Sequence, residues 1–262
     1  MSAKHDHIPI IPTRAYSTLG SVARALLETA RLGIVRGPVG IGKSFALRQI
    51  WEELDQGDDQ VFLVEAPADK SASIQRFYNK ALFDLGFRGF GGSDPFEFFK
   101  GQMLRSYPFR SFKPQSRTLL IVDECQRLAP NVLETLRCAY DAGQRARDGQ
   151  SDAPAFGVLL VGNHHFLTRG GRAVASTFDA LLSRCPINID LPRPEAVEFR
   201  SMGKALFPDS EEAASELALF GAKNGNLRAM AEVAALARHA SNGDPPTPPQ
   251  VKKAMLFSGG AM

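Results

Sequence analysis

The sequence predicts an α/β protein: a parallel five-stranded sheet flanked by helices, followed by a small C-terminal helical lid. Three observations predict it. Gly37–Ser44 reads Gly-Pro-Val-Gly-Ile-Gly-Lys-Ser, fits G-x-x-x-x-G-K-[ST], and lies between an aliphatic run and a helical pattern. Thr118 to Val122 holds four large aliphatics in a row and ends in Asp123-Glu124, as a strand buried on both faces of a parallel sheet does. Beyond Pro192-Arg193-Pro194 only helical patterns remain.

Composition sets the outer bounds. With 262 residues, 44% of them hydrophobic, the chain can bury a large core in one domain or two unequal ones. The net charge of +3 announces no globally basic surface, so any nucleic-acid contact must be local. No apolar run approaches a membrane span, and the polar N-terminus lacks a signal-peptide core, so a cytoplasmic protein with no membrane partner is expected. Cys125, Cys138 and Cys185 are widely spaced beside apolar runs and read as buried reduced thiols.

Residues 1–14 form a polar arm, extended at Ile8 to Pro12 by its prolines. His5 and His7 have no partner cluster for a metal. A helix fits Ala15 to Arg31, with Leu19, Val22, Leu26 and Ala30 on one face and Thr13 or Ser17 as its cap. Leu32 to Val35 is the first strand. In the loop that follows, glycines permit a tight turn that points successive N–H groups into one concavity. Lys43 would reach the β- and γ-phosphates and Ser44 would ligate Mg²⁺. The helix over Phe45 to Leu54 adds its positive dipole end.

Val61 to Val64 is a second strand, Ser71 to Leu85 a helix, Gly86 to Gly92 a glycine-rich turn, and Pro95 to Arg105 a further helix. The stretch from Lys100 to Arg117 carries Lys100, Arg105, Arg110, Lys113 and Arg117, no acidic residue, and the aromatics Tyr107, Phe109 and Phe112. It suits contact with a nucleic-acid backbone and equally suits a solvated loop with aromatics tucked inward. The third strand then delivers two carboxylates to its C-terminal end, where ligands bind in open α/β sheets. There Asp123 would hold Mg²⁺ through water and Glu124 would act as general base on the attacking water.

Pro130 to Arg145 is helical, and residues 146–154 form a polar loop. Phe156 to Gly162 is another buried strand, ending in Asn163. By position alone, that amide could place the water. His164 and His165 read as helix-start residues. Phe178 to Arg184 is a short helix and Pro186 to Leu191 the last strand. Arg184, at their junction, can point at a neighbouring subunit's nucleotide or form a local salt bridge, and Arg169 and Arg172 compete for the former role.

Helices then cover about 195–206, 210–223 and 226–240. Asn226 can cap the last of them, which leaves Arg228 in its first turn. A cation is disfavoured there, so a bound anion is plausible. Residues 241–249 look like a linker, with a short helix at Val251 to Phe257. The organisation expected is an arm (1–14), a nucleotide-binding core (15–191), a helical lid (192–240), and a linker and tail (241–262).

Gly37–Ser44, Asp123-Glu124, Asn163, Arg184 and Arg228 together resemble the motifs of the AAA+ ATPases, over roughly residues 13–240. In that family they correspond to Walker A, Walker B, sensor 1, arginine finger and sensor 2. The resemblance implies that ATP is held by Gly37, Pro38, Val39, Gly40, Ile41, Gly42, Lys43, Ser44, Phe45 and Arg228, with catalysis by Lys43, Glu124, Asn163 and Arg184. Adenine rests on this likeness; the guanine motif N-K-x-D is not met, since Asn79-Lys80-Ala81-Leu82 lacks its aspartate.

Asp123-Glu124-Cys125-Gln126-Arg127-Leu128, Leu182-Ser183-Arg184-Cys185 and Gly225-Asn226-Leu227-Arg228 are similar to the MuB/TnsC group of transposition ATPases. ExeA-type secretion ATPases and bacterial helicase loaders share parts of them. The closer likeness implies ATP-dependent assembly into a filament or ring on double-stranded DNA, without sequence preference, and action on a transposase. Only about a dozen residues precede the first helix, so a compact TnsC-like architecture is expected, without the helix-turn-helix domain of phage Mu's protein. A secretion or helicase-loading ATPase with a protein partner, and a nucleotide-gated scaffold with negligible turnover, are the alternatives.

Overall fold

The structure is a computed structural model and describes residues 11–55, 59–68, 73–88, 94–104, 117–145, 156–166, 179–242 and 244–258. It divides into two compact units. One comprises Leu19–Gly37 and the described residues of Ser44–Asp190. The other comprises the described residues up to Thr18, Pro38–Lys43, and those from Leu191 onward.

The first unit is built on a five-stranded sheet of order β2-β3-β4-β1-β5. The strands are β1 (Leu32–Arg36), β2 (Gln60–Glu65), β3 (Thr118–Asp123), β4 (Gly157–Gly162) and β5 (Ile187–Asp190). Every pairing is parallel, so all five C-terminal ends meet one edge. The β-branched and leucine runs of β3 and β4 are buried at every position, as strands covered on both faces must be. By contrast, β5 lies at the sheet edge and alternates between half-buried and exposed.

Side-chain alternation sorts the core. Leu32, Ile34, Leu120, Val122, Val158 and Leu160 point to one face. There they meet α3 (Ile74–Asp84), α4 (Pro95–Met103) and α5 (Pro130–Arg145) through Phe77, Tyr78, Phe99, Leu133 and Leu136. Helix α3 begins at an N-cap, Ser73, whose side chain accepts from Arg76 N, and α4 at Asp94, which accepts from Phe96 and Glu97 N. On the opposite face Leu26, from the later turns of α1 (Arg14–Thr29), lies against Gly33. Ile50 of α2 (Lys43–Leu54) packs near Gly20 of α1.

The second unit is a cluster of four helices: α6 (Ala196–Leu206), α7 (Glu211–Asn224), α8 (Leu227–Ala240) and α9 (Pro248–Phe257). Phe199, Leu217, Met230, Val233 and Val251 form its core. Each helix starts with a cap: the Glu195–Glu198 capping box, Ser210, Asn226, and Thr247 with Gln250.

The short helix expected at Val251 to Phe257 is present as α9, with Val251 and Ala254 buried in the helical core. Two expectations are corrected. Cys138 is exposed, because the inward stripe of α5 runs through Leu133, Leu136 and Tyr140 and turns position 138 outward; Cys125 is buried and Cys185 partly so. His164 and His165 lie in a turn after β4 rather than at a helix start. Among the described residues no helix is long and apolar enough to cross a membrane.

Candidate nucleotide site

Gly37 leaves the C-terminal end of β1, where its N–H donates to Gly162 O of neighbouring β4 at 3.2 Å. Gly40 and Gly42 then take φ of 81° and 91°, the left-handed region open to glycine at little steric cost. A Cβ on Gly42 would have no heavy atom within 4 Å, so this part of the loop faces open space. Lys43 Nζ donates to Pro38 O at 2.7 Å, holding the ammonium group over the turn it closes. Helix α2 begins at Lys43 with no acidic residue in its first turn. The left-handed glycines, the ammonium group and the open helix N-terminus form a cradle for a polyphosphate. The residues present therefore fit the phosphates of a nucleotide.

Asp123 and Glu124 end β3 on the same strand edge. Asp123 is 6% exposed, and its Oδ1 accepts from Glu124 N at 2.8 Å. An aspartate and a serine hydroxyl are hard oxygen donors of the kind Mg²⁺ takes. Among the described residues no group of three His, Cys, Asp or Glu side chains is placed to hold a metal by itself.

Glu124 has a φ of 59°, a conformation that costs a non-glycine residue energy and persists where its surroundings fix it. Its carboxylate accepts from Gln126 Nε2 and lies 3.5 Å from Arg127 Nη2. Arg127 in turn pairs with Glu65 at the end of β2, at 3.0 Å. Just beneath, burial pushes the Cys125 thiol well above its ordinary pKa, and it donates to Val122 O. It serves as packing, without thiolate character.

Asn163 follows β4. Its N–H donates to Gln126 Oε1 at 3.0 Å, and its side-chain Oδ1 accepts from His165 N at 2.9 Å. Gln126, singled out in the sequence only as part of a resemblance, thus joins the end of β3 to the end of β4.

Arg184 donates through Nε to Asp141 at 2.6 Å and through Nη1 to Ala180 O at 2.7 Å. Asp141 also accepts from Arg137 Nη1 at 2.5 Å, and Arg137 clasps Glu134 through Nε and Nη2 at 2.9 and 2.5 Å. The Arg137 guanidinium holds the Glu134 carboxyl below its ordinary range. Arg184 therefore ends a charge chain along α5. The arginines considered beside it, Arg169 and Arg172, lie outside the described residues.

Arg228 occupies the first turn of α8, with its backbone N–H on Gly40 O at 3.2 Å. Asn226 caps this helix through Ala229 N at 3.2 Å, and its amide lies where a Cβ on Gly40 would be. The helix start is thus bonded to the phosphate loop itself.

Of the basic stretch, Arg105, Arg110 and Lys113 lie outside the described residues. Lys100 pairs with Glu97, and Arg117 grips Asp59 through Nε and Nη2 at 3.0 and 2.5 Å. That grip holds the Asp59 carboxyl below its ordinary range.

A family model described as an AAA domain matches residues 25–169, more than half of the chain. No curated protein matches it. Solved structures of similar fold include Aeropyrum pernix ORC2, at 18% identity and TM-score 0.67, over 98% of this chain and 71% of that one. Cdc6p from Pyrobaculum aerophilum matches at 17% identity and TM-score 0.67, over 97% and 69%. Domain III of the Thermotoga maritima replication initiation protein DnaA matches at 15% identity and TM-score 0.59, over 95% and 94%. At these identities the likeness is one of fold.

Proposed function

This chain belongs to the AAA domain family, and we propose that it is an ATPase that assembles on double-stranded DNA and activates a transposase at the chosen target. One observation carries the nucleotide half of this reading. The phosphate loop, the acidic pair and Asn163 leave adjacent strands β1, β3 and β4 at one sheet edge. That is where an α/β sheet binds its ligand.

Backbone amides of Gly37 to Ser44, with Lys43, hold the phosphates, and Phe45 continues the helix that receives them. Ser44 and Asp123 would hold Mg²⁺, which when bound would supply positive charge to the phosphoryl oxygens. Glu124 takes the proton of the attacking water. Asn163 Oδ1 accepts from His165 N, which orients the amide, and its Nδ2 can donate toward that water or the γ-phosphate. Arg184 of a neighbouring copy exchanges Asp141 for the phosphate, so turnover requires self-association. Arg228 relates the phosphate to the helical unit.

The DNA half rests on the similarity of residues 123–128, 182–185 and 225–228 to the MuB/TnsC group, and on the basic stretch Lys100 to Arg117. One observation favours the rival reading, in which an ATPase of secretion or helicase-loading type acts on a protein. Both described cations of the basic stretch are already paired with carboxylates.

Turnover with and without duplex DNA separates the two. We expect DNA to stimulate ATP hydrolysis, Lys43→Ala to abolish nucleotide binding, and Glu124→Gln to bind ATP without hydrolysing it. Hydrolysis indifferent to DNA would favour the protein partner. A Glu124→Gln protein with the parent rate would show that Glu124 is not the base.

A further inference from the structure

We infer that Gln126 is a positioning residue for hydrolysis, holding the Glu124 carboxylate in register with the end of β4. This rests on the reading of Glu124 as the base. The geometry leaves the amide one orientation. The backbone N–H of Asn163 can only donate, so the group facing it at 3.0 Å must be the carbonyl oxygen, Oε1. The other end, Nε2, then faces Glu124 Oε2 and donates to it. A flipped amide would set N–H against N–H and carbonyl against carboxylate. One planar group thus connects the carboxylate after β3 to the main chain of the proposed water-placing residue after β4.

Two local features make room for this bridge. Position 126 lies in the 3₁₀ turn Cys125–Arg127, opened by the left-handed Glu124, which folds residue 126 back toward β4. At the end of β4 stands Gly162, where a Cβ would come within 3.0 Å of Gln126 Oε1. The side chain is half-buried, so water competes poorly for either bond. Arg127, the other group near Glu124, is farther away at 3.5 Å and shared with Glu65, so it cannot fix the carboxylate alone.

Gln126→Glu and Gln126→Met divide the two halves of the bridge. Glutamate keeps an acceptor for Asn163 N–H and loses the donor to Glu124; methionine keeps the length and loses both. We expect both variants to lose roughly tenfold to a hundredfold in kcat, the range for a residue that orients a reacting group. The KM for ATP and the affinity for a non-hydrolysable analogue stay near the parent values. Both variants should melt at a lower temperature, Gln126→Glu because two carboxylates then face each other and Gln126→Met because the Asn163 N–H loses its acceptor.

A purely structural role predicts another pattern: each variant keeps the parent kcat at temperatures where it is fully folded and loses rate only with stability. That result, or turnover above the parent rate, would overturn the inference. In a Glu124→Gln background Gln126→Glu should remove no further activity, because both act on one group. A further loss would overturn it as well. Failure of the underlying reading looks different: Glu124→Gln itself would then turn over ATP normally.

Discussion

Gly40 shows most plainly how one residue is constrained by its site. Its φ of 81° is strained for any side chain, and a Cβ would lie 2.2 Å from Asn226 Oδ1, at the cap of α8. Gly40→Ala should therefore cost about 1–3 kcal/mol of stability and weaken ATP binding. Thermal melts with and without an ATP analogue would show it, and an unchanged melting temperature would refute the strain. The glycine, lysine and serine of this loop were legible in the sequence because phosphate binding demands them at fixed spacing. Neither Gln126's bridge nor Arg184's grip on Asp141 was, because each depends on where a side chain points after β3, β4 and α5 have packed. The sequence offered a salt bridge for Arg184 as one option and could not name its partner, 43 residues away.

At the scale of elements, pairs of charges and caps hold the ends. Asp59 and Arg117 stand just before β2 and β3, whose register begins Gln60 opposite Thr118. Because the Arg117 hydrogen bonds lower the Asp59 pKa, folding is favoured wherever that carboxyl is ionised. The contribution is complete above its ordinary value of 3.8 and is lost as pH falls through the lower folded value. Asp59→Asn should remove this part of the acid dependence, so the stability difference between variant and parent shrinks at low pH. Equilibrium unfolding at neutral pH and below pH 3.8 checks it. A difference that stayed constant would contradict the pairing.

Asn226→Ala should cost about 1 kcal/mol through loss of the cap of α8, read as a lower melting temperature. Ser73 and Asp94 were recognisable cap types whose role was not read in advance, whereas the roles of Asn226 and of Thr13, whose Oγ1 accepts from Tyr16 N, were. Buried strands with unbroken aliphatic runs were the most legible elements. The short helix read at Val251 to Phe257 is α9, which two buried residues, Val251 and Ala254, anchor while Leu256 and Phe257 stay exposed.

For the whole molecule, a parallel sheet follows from the alternation of strand-like and helix-like segments, and the AAA family match agrees with it; the order that sets β3 and β4 between β1 and β2 was not legible, because the same alternation serves several strand orders. The choice of DNA as partner is carried by local segments. The net charge of +3 gives it no support at this scale, so the affinity must come from a few lysines and arginines and fade with salt.

The most direct test is sedimentation of the full chain with duplex DNA under ATP, ADP or no nucleotide, across a salt series. The account predicts co-sedimentation with ATP, little with ADP, and loss as salt rises. Absence of DNA binding under every nucleotide would contradict the DNA function and leave a nucleotide-binding AAA protein whose partner is a protein.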